Sequence, residues 1–296
     1  MKQLFLLTTA FFVFCAFAIA GPEANSSGKE MKEVAPAPAP SGCNWTGLYL
    51  GINGGYNWLD HDSINTDSRD IFGNPGLGGG PVYGVAAAEL ATFSFDNDHA
   101  DGFIGGGQIG YNWEFWRLVF GPEADIDGIP ANADTTGRST SIAPPGFAGF
   151  PIDQTASVSR AFNYIGTVRG RVGFAITPCL LVYGTGGFAY GEAYGKTAIV
   201  QQVQNDPALL PNTYGGTGKF SDTLTGWVGG GGVEWMFWHH WSIRAEYLHY
   251  DFGTVSYNVH PLNNFNTAGT LFTTTAPTTS SKFDGNEVRG GLNFHF

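Results

Sequence analysis

Few stretches of this sequence have the make-up that nucleotide binding, metal ligation or catalysis requires. Gly105-Gly106-Gly107-Gln108-Ile109-Gly110 has the G-x-G-x-x-G spacing that cradles a pyrophosphate when a strand precedes it and a helix follows. Here Tyr111 to Trp116 continues the alternation of a strand, so the glycines read as relief of crowding in a curved sheet. Gly218-Lys219 is followed by Phe220 rather than Ser or Thr, which removes a P-loop. His239 and His240 are adjacent in a short turn and no H-E-x-x-H occurs, so neither a cofactor nor a metal is expected. No G-x-S-x-G is present and no enzymatic activity is expected; a Ser/His pair at the outer rim is the catalytic alternative the sequence leaves open.

Two other sets carry charge or thiol chemistry. Asp60, Asp62, Asp67, Asp70, Glu89, Asp96, Asp98 and Asp101 gather in one segment against Arg69 alone, an arrangement that reads as a solvated acidic loop or as one bridged to anionic lipid by divalent cations. Cys43 and Cys179 are the two cysteines outside the N-terminal leader, and thiols in an oxidising compartment are candidates for a disulfide.

The remaining charges sort by parity. Glu123 and Asp125 alternate with Phe120, Ala124 and Ile126; Arg169 and Arg171 with Val168, Val172 and Phe174; Glu234 with Val233 and Trp235; Arg244 and Glu246 with Ile243, Ala245 and Tyr247. In the last ten residues Arg289 opposes a face made of Val288, Gly290, Leu292, Phe294 and Phe296. A period of two with one apolar and one polar face is a strand separating two environments. Glu123, Asp125, Arg169, Arg171, Glu234, Arg244, Glu246 and Arg289 lie at similar depth, so they are expected to form one charged layer that satisfies itself and obstructs the interior. Arg160 and Asp251 break the parity, toward the strand ends where the cost of facing lipid is small.

Eight such strands are expected, near 45–58, 103–116, 118–127, 158–176, 180–197, 221–237, 241–257 and 282–296. Short connections at 116–117, 177–179 and 238–240 alternate with long ones at 59–102, 128–157, 198–220 and 258–281, the loop pattern of an outer-membrane barrel. Aromatics gather at the short-turn ends, at Trp45, Trp113, Phe115, Trp116, Trp235, Phe237, Trp238, Trp241, Phe294 and Phe296, as an interfacial girdle would. The expected fold class is therefore all-β, an eight-stranded antiparallel up-and-down transmembrane β-barrel. Strands one and five stand opposite each other in such a ring, so Cys43 and Cys179 meet only if the segment before residue 45 crosses the barrel mouth; a bridge and two free thiols both stay open.

Composition agrees. Only 13% of residues are charged, with 44 Gly and 15% aromatic, which is poor in charge for a water-soluble surface. Lys2, an apolar run from Leu4 to Ala18 and Ala18-Ile19-Ala20 read as a signal peptide over 1–20. Residues 21–44 contain a Pro/Ala alternation from Ala35 to Pro40 and read as a periplasmic linker, with the barrel at 45–296. The net charge is −11, which disfavours nucleic acid as a partner.

Trp45-Thr46-Gly47-Leu48-Tyr49-Leu50-Gly51, Gly55-Tyr56-Asn57-Trp58, Gly121-Pro122-Glu123-Ala124-Asp125, Arg169-Gly170-Arg171-Val172-Gly173, Val182 to Gly187, Arg244-Ala245-Glu246-Tyr247 and the terminal Phe296 follow one another in a familiar order. Together they resemble the small outer-membrane β-barrel proteins known as the porin family or outer-membrane immunogenic proteins, related in architecture to the OmpA barrel. The resemblance implies insertion by the outer-membrane assembly machinery, which recognises an alternating C-terminal strand ending in Phe, here Val288, Gly290, Leu292, Phe294 and Phe296. The long first loop and the two cysteines depart from the pattern, so surface-loop functions do not carry over.

The expectation is an integral protein of the bacterial outer membrane with a structural and surface-interaction role. Its expected partners are membrane lipid and lipopolysaccharide, the assembly machinery and an unidentified surface ligand. A narrow channel for ions or small solutes is the alternative, and a soluble lipocalin-like binder is the third; eight strands leave an interior just wide enough for side chains to fill.

Overall fold

The structure is a computed structural model that describes residues 43–60, 63–95, 101–129, 135–206 and 213–296. The expected leader and most of the expected linker lie outside the described residues.

The described residues form twelve strands and one helix in the order β1 (Gly47–Leu59), β2 (Ile64–Gly73), α1 (Gly80–Leu90), β3 (Phe93–Phe95), β4 (Asp101–Phe115), β5 (Leu118–Gly128), β6 (Thr135–Ile142), β7 (Ile152–Thr177), β8 (Leu180–Val203), β9 (Thr213–Trp238), β10 (Trp241–Asn258), β11 (Leu262–Phe265) and β12 (Leu271–His295). Eight of the strands pair antiparallel in the order β1-β4-β5-β7-β8-β9-β10-β12, and β12 pairs again with β1. The sheet therefore closes on itself. Closure leaves no edge along the wall, as a strand surrounded by lipid requires. The eight wall strands correspond to those expected from alternation, but β7, β8, β9 and β12 run further at the long-loop end.

The seam between β1 and β12 shows why small residues recur in this wall. A Cβ on Gly55 would lie 2.1 Å from the carbonyl oxygen of Val288, so glycine is the residue that lets the two strands meet at that point.

Side chains fill the ring in layers. At the short-turn end Trp45, Val119, Leu181, Tyr183 and Met236 pack with Cys43 and Cys179. Further along the chain directions, Leu59, Phe162, Ile165, Val228, Leu248, Tyr250, Phe252 and Phe283 form a second apolar cluster. A third, built on Ile64, Tyr83, Ala86, Ala87, Ile152, Ile199, Val259, Leu262 and Phe272, lies in the strand extensions at the long-loop end.

The segment expected to be a plain loop at 59–102 folds instead into β2, α1 and β3. In the upper part of β12, β2 takes the place of β1, pairing from Thr273↔Gly73 to Ser280↔Asn65. Helix α1 starts after Gly79, whose φ of 88° is a conformation that favours glycine, and carries Pro81 in its first turn, where a missing N–H costs nothing. Its run Ala86-Ala87-Ala88-Glu89-Leu90 is built from good helix formers. Two glutamines from the wall take carbonyls at its C-terminal end: Gln201 donates to Ala87 O at 2.8 Å and Gln154 to Leu90 O at 2.6 Å. No helix among the described residues is long and apolar enough to cross a membrane.

Candidate functional site

The interior of the ring is the most chemically loaded part of the molecule. Alternation puts Val119, Glu123, Asp125 and Asp127 of β5 inside; β7 supplies Arg169 and Arg171, β9 Glu234, β10 Ser242, Arg244 and Glu246, and β12 Glu287, Arg289, Asn293 and His295, and all of these are buried. The opposite faces are exposed along the wall, with Ile52, Phe103, Ile109, Ile126, Val168, Val172, Phe174 and Ile243 among them.

All eight charged residues singled out by parity come together. Arg169 donates to Glu123, to Asp125 at 2.6 Å and to Glu246 at 3.1 Å. Arg171 reaches Glu234 at 2.6 Å and Glu123 at 3.6 Å, and its guanidinium lies 4.1 Å from the centre of the Tyr183 ring. Arg244 meets Glu123 at 2.6 Å and Glu246 at 3.3 Å and also donates to Gln108. Arg289 meets Asp125 and Glu246, both at 2.8 Å. Counting from the short-turn ends puts Arg171 level with Glu123, but the ladder sets Arg169 opposite Glu123 and Arg171 opposite Gly121, the consequence of strand stagger.

Two acids join that parity did not single out. Asp127 bonds Arg289, and Glu287 lies 3.3 Å from it. Both share parity with residues already assigned inward, Asp125 and Arg289, so the signal was present. Six carboxylates thus surround four guanidiniums. The polar residues Tyr49, Gln108, Asn293 and His295 complete the layer: Tyr49 donates to Glu123, Gln108 to Asn293 and Asn293 to Glu234 at 2.8 Å, while His295 Nε2 lies 2.9 Å from Ser242 Oγ.

Arg160 is not turned toward lipid. The β7–β8 register shifts between Phe162 and Tyr164, which reverses the parity of β7 beyond that point and turns Arg160 inward. Its guanidinium donates to Lys282 O at 2.6 Å and Asp60 O at 3.1 Å. Asp251 stays on the outer side and accepts from the Gly253 N–H at 2.7 Å.

The mouth at the short-turn end is covered from within. Cys43 and Cys179 are bonded, with Cα atoms 5.1 Å apart, so the segment before β1 crosses the ring to the β7–β8 turn. Trp45 is fully buried beneath it and donates from its indole N–H to Pro178 O at 3.0 Å. It therefore does not belong to the aromatic girdle; Trp113, Phe115, Trp116, Trp235, Phe237, Trp238, Trp241 and Phe296 are exposed on the outer surface, and Phe294 is half-buried beside them. The outward face of β12 consists of Val288, Gly290, Leu292 and Phe294, and the backbone N–H of Phe296 donates to Leu48 O at 2.9 Å.

Of the acidic segment, Asp62, Asp96 and Asp98 lie outside the described residues. Asp67 and Asp70 sit on β2, Glu89 on α1 and Asp101 at the start of β4. No group of three or more His, Cys, Asp or Glu among the described residues is arranged to hold a metal ion.

Such a closed ring, apolar outside and charged inside, is a wall built to sit in lipid. Sequence comparison with known proteins agrees. A 31 kDa outer-membrane immunogenic protein of Brucella melitensis is 32% identical over 267 residues, which cover 88% of this chain and 88% of that protein. A 22 kDa outer membrane protein of Rhizobium leguminosarum is 28% identical over 225 residues, covering 75% of this chain and 72% of that one. Among solved structures, the outer membrane protein OprG of Pseudomonas aeruginosa aligns with a TM-score of 0.39 at 11% identity, over 86% of this chain and 99% of its own. The family model for the outer membrane protein beta-barrel domain matches residues 78–296. The chain is a bacterial outer-membrane protein and belongs to the outer membrane protein beta-barrel domain family.

Proposed function

We propose that this outer-membrane barrel is a closed, non-catalytic scaffold that holds its long-loop end at the cell surface for contact with other molecules. The observation that carries the reading is the filled interior, where four arginines and six carboxylates interlock between the buried Trp45 and the apolar layer around Phe162 and Phe283. A path for solutes along the axis would need several of these buried ion pairs to separate, and breaking one costs about 3–5 kcal/mol. The alternative of a narrow channel is weakened by the same network.

In this reading the short turns face the periplasm and the β2–α1–β3 cap, the β6 hairpin and the β11 hairpin face outward. Membrane lipid and lipopolysaccharide surround the wall. Val288, Gly290, Leu292, Phe294 and Phe296 serve as the strand that the assembly machinery reads. The surface ligand is a molecule that the cap meets from outside. That the Brucella melitensis relative is named immunogenic supports display of the loops at the surface.

The test is an epitope inserted between Thr267 and Ala268 in the long-loop end, compared with one inserted between His239 and His240. Antibody should label intact cells carrying the first and label the second only after permeabilisation. The reverse pattern would overturn the orientation. Liposomes carrying the purified protein should also show no faster swelling in small sugars than empty ones.

A further inference from the structure

Beside the β9–β10 turn, on the lipid-facing side of the wall, Trp238, His239, His240, Trp241 and Phe294 line a groove of about 360 Å3. Trp241 meets Phe294 edge-on at 5.1 Å between ring centres, and the His240 ring lies 5.7 Å from the same phenyl. None of the lining residues is Lys or Arg, so an anion entering the groove meets no fixed counter-charge.

The histidine geometry assigns a polarity. His240 Nδ1 lies 2.8 Å from the carbonyl oxygen of His295. That oxygen can only accept, so Nδ1 carries the proton and Nε2 of the neutral ring is left with a lone pair. The groove thus combines aromatic faces, which attract a cation through the ring quadrupole, with one bare acceptor nitrogen. Its level on the wall is that of Trp235, Phe237 and Phe296, where a bilayer presents headgroups.

We propose that this groove holds the primary ammonium of a zwitterionic phospholipid, with the cation over Trp238 and Trp241 and an N–H donated to His240 Nε2. The acyl chains would run along the exposed apolar face of β9 and β10 through Trp235 and Ile243. Which leaflet supplies the lipid rests on the orientation proposed above, but binding does not, and the test reads binding alone.

The experiment is native mass spectrometry of the purified barrel in detergent micelles with added phosphatidylethanolamine, phosphatidylcholine or phosphatidylglycerol of identical acyl chains. The expected result is retention of phosphatidylethanolamine at least about fivefold above phosphatidylglycerol, the scale of a partly desolvated cation–aromatic contact. Phosphatidylcholine, which has no N–H to give, should be retained less. His240→Phe keeps the aromatic surface and removes the lone pair; Trp238→Leu removes a ring. Each should reduce the ethanolamine preference while leaving the heat-dependent gel shift of a folded barrel. Equal retention of phosphatidylethanolamine and phosphatidylglycerol, or of phosphatidylethanolamine and phosphatidylcholine, would overturn the proposal. So would an unchanged preference in both folded variants, or a preference abolished by free ethanolamine alone, which would mark a soluble amine as the occupant.

Discussion

Glu246 stands directly opposite Arg289 in the β10–β12 register and accepts from its Nε at 2.8 Å, while Arg169 and Arg244 approach the same carboxylate at 3.1 and 3.3 Å. Glu287, two residues from Arg289 on β12, pairs among the described residues with Arg289 alone, at 3.3 Å. The two glutamates therefore differ in what their loss leaves behind. Glu246→Gln should destabilise the barrel by about 3 kcal/mol, because three buried guanidiniums lose a common partner. Glu287→Gln should change stability by less than about 1 kcal/mol, because six carboxylates already outnumber four guanidiniums. The urea midpoint of unfolding in micelles, followed by tryptophan fluorescence, measures both; equal losses would contradict this account of the network.

The bond between Cys43 and Cys179 ties the segment before β1 across the mouth and encloses the strands between them. Cys43→Ser should cost about 2–4 kcal/mol, chiefly by freeing the unfolded chain. The boiled chain should migrate faster without reductant than with it, and the variant should show no such difference. Identical mobility of the boiled wild-type chain under both conditions would mean that the thiols are free.

Outward positions should resist charge where inward ones depend on it. Val168 is exposed on the wall between the inward Thr167 and Arg169. Val168→Arg should therefore destabilise the inserted barrel by about 2–4 kcal/mol, the cost of a cation on the lipid face near mid-membrane. Thr223→Arg, at an exposed position toward the long-loop end of β9, should cost less than about 1 kcal/mol. Similar folded fractions for the two variants after refolding into vesicles would contradict the placement of the wall in the bilayer.

The wall and its interior were legible because a period of two leaves a trace in every strand: Arg169 and Arg171 against Val168 and Val172 is enough to orient β7. The trace fails at an irregularity. Arg160 keeps the parity of the outward Val168 in sequence, and the shift near Tyr164 that turns it inward has no residue signature on its own strand. Helix α1 was illegible for a different reason. It packs against β2, β6, β7 and β12, and the stripe it leaves exposed carries Pro81 and Val85 beside Glu89, so it lacks the 3.6-residue alternation that betrays a surface helix. Pro81 followed by the alanine run was the signal available. Trp45 reads as part of the girdle because it is an aromatic at a strand end; only the course of the chain across the mouth turns it inside.

The cap also contains a group that should respond to alkali. Tyr83 of α1 donates to Phe150 O at 3.1 Å, and burial together with the neighbouring Asp206 pushes its phenol up to about 12. The folded cap favours the neutral phenol, so this contribution to stability is complete below pH about 10 and is lost as pH rises through about 12. Difference absorbance of wild type against Tyr83→Phe should show one phenol ionising near pH 12; ionisation of that phenol near pH 10 would show that α1 is not packed as described.

A barrel closed by its arginine–carboxylate layer should pass no ions, which the conductance of the purified wild-type protein in a planar bilayer reads. No unitary current should be resolved for wild type. A stepwise conductance from heat-modifiable wild-type protein that is retained with the Cys43–Cys179 bond intact would contradict it, and would mean that the arginine–carboxylate layer leaves a conducting path.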